Sequence, residues 1–133
     1  MRLTSLVAAV PVFVLALAPV SAPAMPKYAC AVHEVFECTA VAGCKRIKHA
    51  TAGIPPMVTL SVSEKGLFSG LFGGGDLLQK GDVYDDEKVL IMRGRKGLQT
   101  WSAVVEKPTG AMSGTIAQAG RAFTQFGTCV EAK

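Results

Sequence analysis

The strongest constraint on this chain is a period-two alternation of apolar and polar residues, broken at short intervals by turns rich in glycine and proline. Successive side chains of a β-strand point to opposite faces, so this pattern builds strands with one face on a core. Between Tyr28 and Cys38 the even positions read Tyr28, Cys30, Val32, Glu34, Phe36 and Cys38. Residues 57–63 put Val58, Leu60 and Val62 on one face, and Pro55-Pro56 stops that strand from extending backwards. Residues 88–93 hold an unbroken apolar run, Val89-Leu90-Ile91-Met92, and Gly94-Arg95-Lys96-Gly97 reads as a turn. Residues 98–105 then set Trp101, Ala103 and Val105 against Leu98, Thr100, Ser102 and Val104. After a second turn at residues 106–110, residues 111–118 and 121–130 form the last two strands, joined at Ala119-Gly120. In the last strand Phe123 and Phe126 fall on opposite faces, which calls for cover on both sides or a bulge near Gly127.

Four consecutive strand-turn units make an antiparallel meander, and no capped helical stretch competes with it. A meander exposes two edges, and joining first strand to last removes them. The expected fold is all-β: a small antiparallel meander closing into a barrel or barrel-like sandwich, tied by disulfides.

The chain has four cysteines, Cys30, Cys38, Cys44 and Cys129. An even count in a small exported protein reads as two bridges, for which three pairings exist. Cys38 and Cys44 flank five residues ending in Gly43, and a tight hairpin there brings them within disulfide reach. That leaves Cys30 with Cys129, the first and last strands, a loop closure of up to about 4–5 kcal/mol in the chain-entropy model. A zinc site built from Cys30, His33, Cys38, Cys44 and His49 lacks the paired ligand spacing such sites use.

Export itself is read from residues 1–24. Arg2 gives a positive start, an apolar run follows from Leu6 to Ala18, and Ala22-Pro23-Ala24 supplies small residues at a cleavage site. The run is shorter than the roughly 20 residues a membrane span needs, and Pro11 interrupts it. Cleavage leaves a single β domain, residues 25–133, located in the periplasm or secreted. Only Arg2 is charged within the leader, so the mature chain carries +3 of the total +4. That charge is too mild, and too poor in interleaved aromatics, for a nucleic-acid face.

No catalytic constellation emerges. Ser113 stands one place late for a nucleophile elbow, and Gly73-Gly74-Gly75 lacks the Lys-Ser/Thr of a phosphate loop. The two histidines, His33 and His49, have no adjacent nucleophile and orienting group in the sequence. Asp82, Asp85, Asp86 and Glu87 lack calcium-loop spacing. The expectation is a non-enzyme with no cofactor and no metal. Two clusters are candidate contact sites. One is the glycine-rich segment 66–75, too flexible for regular structure, carrying Leu67, Phe68, Leu71 and Phe72 either as lids over the barrel mouth or as a tip touching a periplasmic protein or membrane surface. The other is the basic group Arg93, Arg95 and Lys96.

The stretch from Trp101 through Glu106-Lys107-Pro108-Thr109-Gly110 and Met112-Ser113-Gly114-Thr115 to Phe126-Gly127-Thr128-Cys129 resembles a group of small uncharacterised exported β proteins of alphaproteobacteria. The resemblance covers about half of the mature chain and carries over no catalytic residue. Tyr28-Ala29-Cys30 near the mature start is similar to the periplasmic C-type lysozyme inhibitors, whose resemblance implies a disulfide-tied β-barrel. Their inhibitory Ser-Gly-x-x-Tyr loop has no counterpart here. The functional expectation is an exported β protein that binds a partner or a small apolar ligand; the alternative is an inhibitor of a cell-wall hydrolase or protease.

Overall fold

The computed structural model describes residues 18–19, 25–70 and 77–132. The leader, apart from Ala18 and Pro19, therefore lies outside the described residues, as do Leu71 and Phe72. Ten strands and one helical turn follow in order: β1 (Lys27–Thr39), β2 (Gly43–Ile47), α1 (His49–Ala52), β3 (Met57–Ser61), β4 (Gly66–Ser69), β5 (Leu77–Lys80), β6 (Asp82–Asp85), β7 (Val89–Lys96), β8 (Gln99–Glu106), β9 (Ala111–Gln118) and β10 (Arg121–Ala132). Every pairing is antiparallel, and the spatial order is β5-β4-β3-β1-β10-β9-β8-β7-β6.

The long first strand organises the sheet. One side of β1 pairs along its whole length with β10, from Lys27↔Ala132 to Thr39↔Arg121. Its other side is shared: the first half pairs with β3 and the second half with β2. The two sheet ends then meet through a single stretch of chain. β5 pairs with β4, β6 pairs with β7, and only Gly81 separates β5 from β6. Counted as one bent stave, residues 77–85 complete a ring of eight, a size whose interior side chains fill or which holds one small ligand. The sheet is thus nearly closed into a barrel. Gly81 is required at the pivot, because a β-carbon there would lie 1.9 Å from the Arg93 carbonyl oxygen. Beyond the pivot, β5 runs beside β7 and the Lys96 ammonium donates to the Leu78 carbonyl at 3.4 Å.

The two disulfides are Cys30–Cys129 and Cys38–Cys44. The first lies inside the barrel and joins directly opposed residues of β1 and β10; the second clamps the β1–β2 hairpin. The core follows the alternation. Tyr28, Cys30, Val32, Leu60, Leu90, Met92, Trp101, Ala103, Val105, Met112 and Cys129 are buried and form one cluster. Burial of such side chains stabilises by roughly 1.5–3 kcal/mol for each large one.

Several local expectations are corrected. Gly66–Ser69 is strand β4 rather than loop, because β3 alongside supplies its backbone partners. The turn expected at residues 94–97 sits instead at Gly97-Leu98, so β7 continues to Lys96. Leu98 leaves the strand and is 97% exposed. One helical turn, α1, appears where no helix was expected. The bulge lies opposite Gly127, but its extra residue is His33 on β1, between Val32↔Gly127 and Glu34↔Phe126. Phe123 does face inward, whereas Phe126 packs edge-on to Phe36 outside the barrel at 6.1 Å.

Candidate functional site

The bulge fixes how one barrel end is covered. At Val32 the strand leaves its ladder on one side, and the backbone N–H donates to the Pro56 carbonyl at 2.8 Å. The Val32 carbonyl accepts from His49 Nε2 at 2.7 Å. A carbonyl can only accept, so His49 carries a proton on Nε2. These two bonds fasten residues 49–56 across the barrel end, and Ile54 from that segment is buried in the core cluster. His49 is thereby a structural residue.

Beneath this cover is a cavity of about 210 Å³. Small inward positions shape its wall. On β7, β8 and β9 the register sets Gly94 opposite Trp101, Ala103 opposite Gly114 and Trp101 opposite Ile116. The space over Gly94 is taken by the Trp101 indole and that over Gly114 by the Gln125 side chain, so the two glycines let these larger side chains lie along the wall, where both line the cavity. Cys30, Val58 and Met112 line the cavity in depth, and Leu67, Leu78, Ile116 and Phe123 line it further out. Tyr28, Leu90 and Val105 are buried without lining it, and they fill the interior toward the other end.

The polar lining is sparse and one-sided. Trp101 is 5% exposed, and its Nε1 is buried with no hydrogen-bond partner among the described residues. Gln125 lies over Gly114, whose β-carbon position is 2.8 Å from the Gln125 amide nitrogen. Gln99 also lines the cavity and donates to the Gln118 side-chain oxygen at 2.8 Å. Gln79 and Lys96 line it at the gap between β5 and β7, and Ser102 and Thr115, whose hydroxyls pair with each other at 2.8 Å, complete the polar set. No aspartate, glutamate, histidine or free thiol is among the described lining residues. The described residues hold no group of three or more His, Cys, Asp or Glu placed to bind a metal ion.

The expected contact residues are distributed differently from their sequence grouping. Leu67 points into the barrel and packs on the core, whereas Phe68 belongs to the opposite face of β4 beside Leu77. The basic group also divides. Arg93 and Arg95 are exposed, and only Lys96 lines the cavity. Gln79, Gln99, Gln125 and the cavity role of Trp101 were not anticipated. Their signal is a glutamine at an inward position of a strand, visible only once register is known.

Away from the cavity, the acidic run is occupied structurally. Asp86 Oδ1 accepts from the backbone N–H of Lys88 at 2.7 Å and of Val89 at 2.8 Å, closing the β6–β7 turn. These two N–H groups, with the Tyr84 hydroxyl, hold the Asp86 carboxyl below its ordinary range. Asp85 pairs with Lys107, whose ammonium it raises above its usual value, and Lys107 also lies 5.9 Å from the Tyr28 ring centroid.

The described residues contain no helix long and apolar enough to cross a membrane. No protein-family model, curated protein or solved structure matches the chain.

Proposed function

We propose that this chain is an exported, non-enzymatic periplasmic β protein that binds a small apolar ligand inside its barrel. The observation that carries the reading is the 210 Å³ cavity, walled mainly by apolar side chains and by the only tryptophan of the chain. A dry apolar cavity of about 150 Å³ already accepts benzene, so this one has room for a ring or chain somewhat larger. Ligand pockets combine such walls with a few placed polar groups. The lining offers no nucleophile–base pair, which favours binding over turnover. Two disulfides suit an oxidising compartment, and the leader-like residues 1–24 motivate export. Intact mass of the protein recovered from periplasm tests that part: loss of residues 1–24 supports it, and retention in the membrane fraction overturns it.

Because the single tryptophan lines the cavity, its emission reports occupancy directly. Titration of the oxidised chain with 1-octanol should give a saturable change in Trp101 emission. Absence of a saturable change, with the fold intact by circular dichroism, overturns the reading.

One observation favours the alternative of hydrolase inhibition. The β1–β2 hairpin is clamped by Cys38–Cys44 and presents Val41 at 100% exposure on its tip. A rigid apolar tip costs little order on docking. Inhibition of lysozyme or a cell-wall protease by the wild-type chain, lost in Val41→Asp, would support this second reading.

A further inference from the structure

We infer that the ligand of this barrel is an apolar monocarboxylate, bound tail-inward with its carboxylate at Lys96. The inference rests on the cavity reading above and specifies what the cavity selects. Its basis is the sign of the polar lining. The cavity has a cation and no anion: Lys96 is the one charged residue among those that line it. It forms no ion pair with a described residue, and its ammonium has one long contact, 3.4 Å, to the Leu78 carbonyl. An ammonium has three N–H groups, so its capacity is largely unused. Lys96 is an exposed residue that also lines the cavity, which places it at the mouth.

A second unanswered donor lies in the wall. The Trp101 indole is donor only, is buried, and has no partner among the described residues. A buried donor without a partner is destabilising, and such groups in native structures call for an unseen acceptor. The Gln79 and Gln125 amides line the same space without a side-chain hydrogen bond to any described residue. Each supplies two further donors, though each also brings an acceptor. A ligand that matches this inventory is apolar over most of its surface and carries acceptor oxygens and one negative charge. A neutral hydrocarbon would leave Lys96 unanswered; a cation would meet Lys96 as a like charge. A diacid would put its second carboxylate against Val58, Met112 or the disulfide, with no cation there to pair it. The volume limits the body to a ring or a chain on the order of eight carbons, by comparison with benzene in about 150 Å³.

The position of Lys96 explains why the charge is at the mouth. It stands opposite Gln99 on β8 and across the seam from Leu78 on β5, where the two ends of the sheet approach without a ladder. There a carboxylate keeps part of its hydration while the tail is buried, which avoids the cost of burying the charge.

The test compares octanoate with 1-octanol, a probe of the same length without charge, on the oxidised chain by Trp101 emission and calorimetry. The expected result is at least tenfold tighter binding of octanoate. In Lys96→Met, which keeps the stem, that preference should fall to within about twofold. Lys96→Arg should retain the preference, and raised salt should weaken octanoate alone. If octanol binds as well as octanoate, or if Lys96→Met keeps the preference, the carboxylate inference is overturned and the cavity reading survives. If neither probe binds to the folded chain, both are overturned, and the interior donors are satisfied by ordered water.

Discussion

Trp101 stands directly opposite Gly94 across β8 and β7, and a β-carbon on Gly94 would lie 2.6 Å from the indole Nε1 and 2.4 Å from the Lys80 carbonyl oxygen. The indole therefore occupies space that a side chain on the partner strand would need. Gly94→Ala should displace the indole or push β5 outward, since neither neighbour can accept that approach. Overpacking of this kind costs about 1–3 kcal/mol. The expected outcome is a lower urea midpoint together with a shifted Trp101 emission maximum. An unchanged spectrum would show that the indole does not depend on the absent side chain.

The two disulfides should differ in weight. Cys30–Cys129 spans 99 residues and Cys38–Cys44 spans 6. The chain-entropy model assigns them about 4–5 and about 2 kcal/mol. Paired alanine replacements, Cys30→Ala with Cys129→Ala and Cys38→Ala with Cys44→Ala, should therefore lower stability unequally, with the first pair the more damaging. Denaturant unfolding of the two double variants measures this. Equal losses would remove the argument that the long bridge holds the barrel shut.

Acid should loosen the β6–β7 turn. The Asp86 carboxyl is lowered from an ordinary 3.8, first by the Val89 N–H, then by the Lys88 N–H and the Tyr84 hydroxyl. A group with a depressed folded-state pKa stabilises fully above its unfolded-state value, and that stabilisation is lost as pH falls through the folded-state value. The wild type should lose stability below about pH 4 more steeply than Asp86→Asn, which keeps an acceptor but does not titrate. Urea midpoints at about pH 5 and about pH 2.5 for both proteins make the comparison. Parallel losses would place the acid sensitivity elsewhere.

How far the sequence discloses this molecule depends on what each element needs from its neighbours. β1, β3 and β8 carry their own alternation, so residues such as Val58, Leu60, Trp101, Ala103 and Val105 declare their face without help. β4, β5 and β6 do not. Each has four residues, two of them border Gly81 and the third begins at Gly66, and their pairing is supplied by β3 and β7. α1 is too short for a 3.6-residue period to register. The cavity was unreadable for a related reason. Gly94, Ala103 and Gly114 look like scattered small residues until register aligns them with Trp101 and Gln125. Lys96 groups with Arg93 and Arg95 by sequence proximity, yet the extension of β7 by three residues, from 93 to 96, brings it to the cavity.

Leu67 and Phe68 offer the sharpest separation between scaffold and surface. They are adjacent, both apolar, and both half-buried, so composition cannot distinguish them. The pleat does, because neighbours on a strand face opposite sides. Leu67 pairs with Leu60 across β4 and β3, packs against the core and lines the cavity. Phe68 pairs with Thr59 and lies beside Leu77 outside the barrel. Truncation of a core leucine costs 2–5 kcal/mol when burial is complete, so Leu67→Ala should cost about 2 kcal/mol here. It should also change Trp101 emission and enlarge the site for octanol. Phe68→Ser should cost less than about 1 kcal/mol, because surface changes away from the core are usually small, and it should leave octanol binding intact. Should Phe68→Ser unfold the chain as readily as Leu67→Ala, Phe68 is a lid on the barrel rather than an outward residue free to meet a partner. Should Phe68→Ser leave stability alone but abolish association with lipid vesicles or a periplasmic protein, the outer face of β4 is a contact surface separate from the cavity.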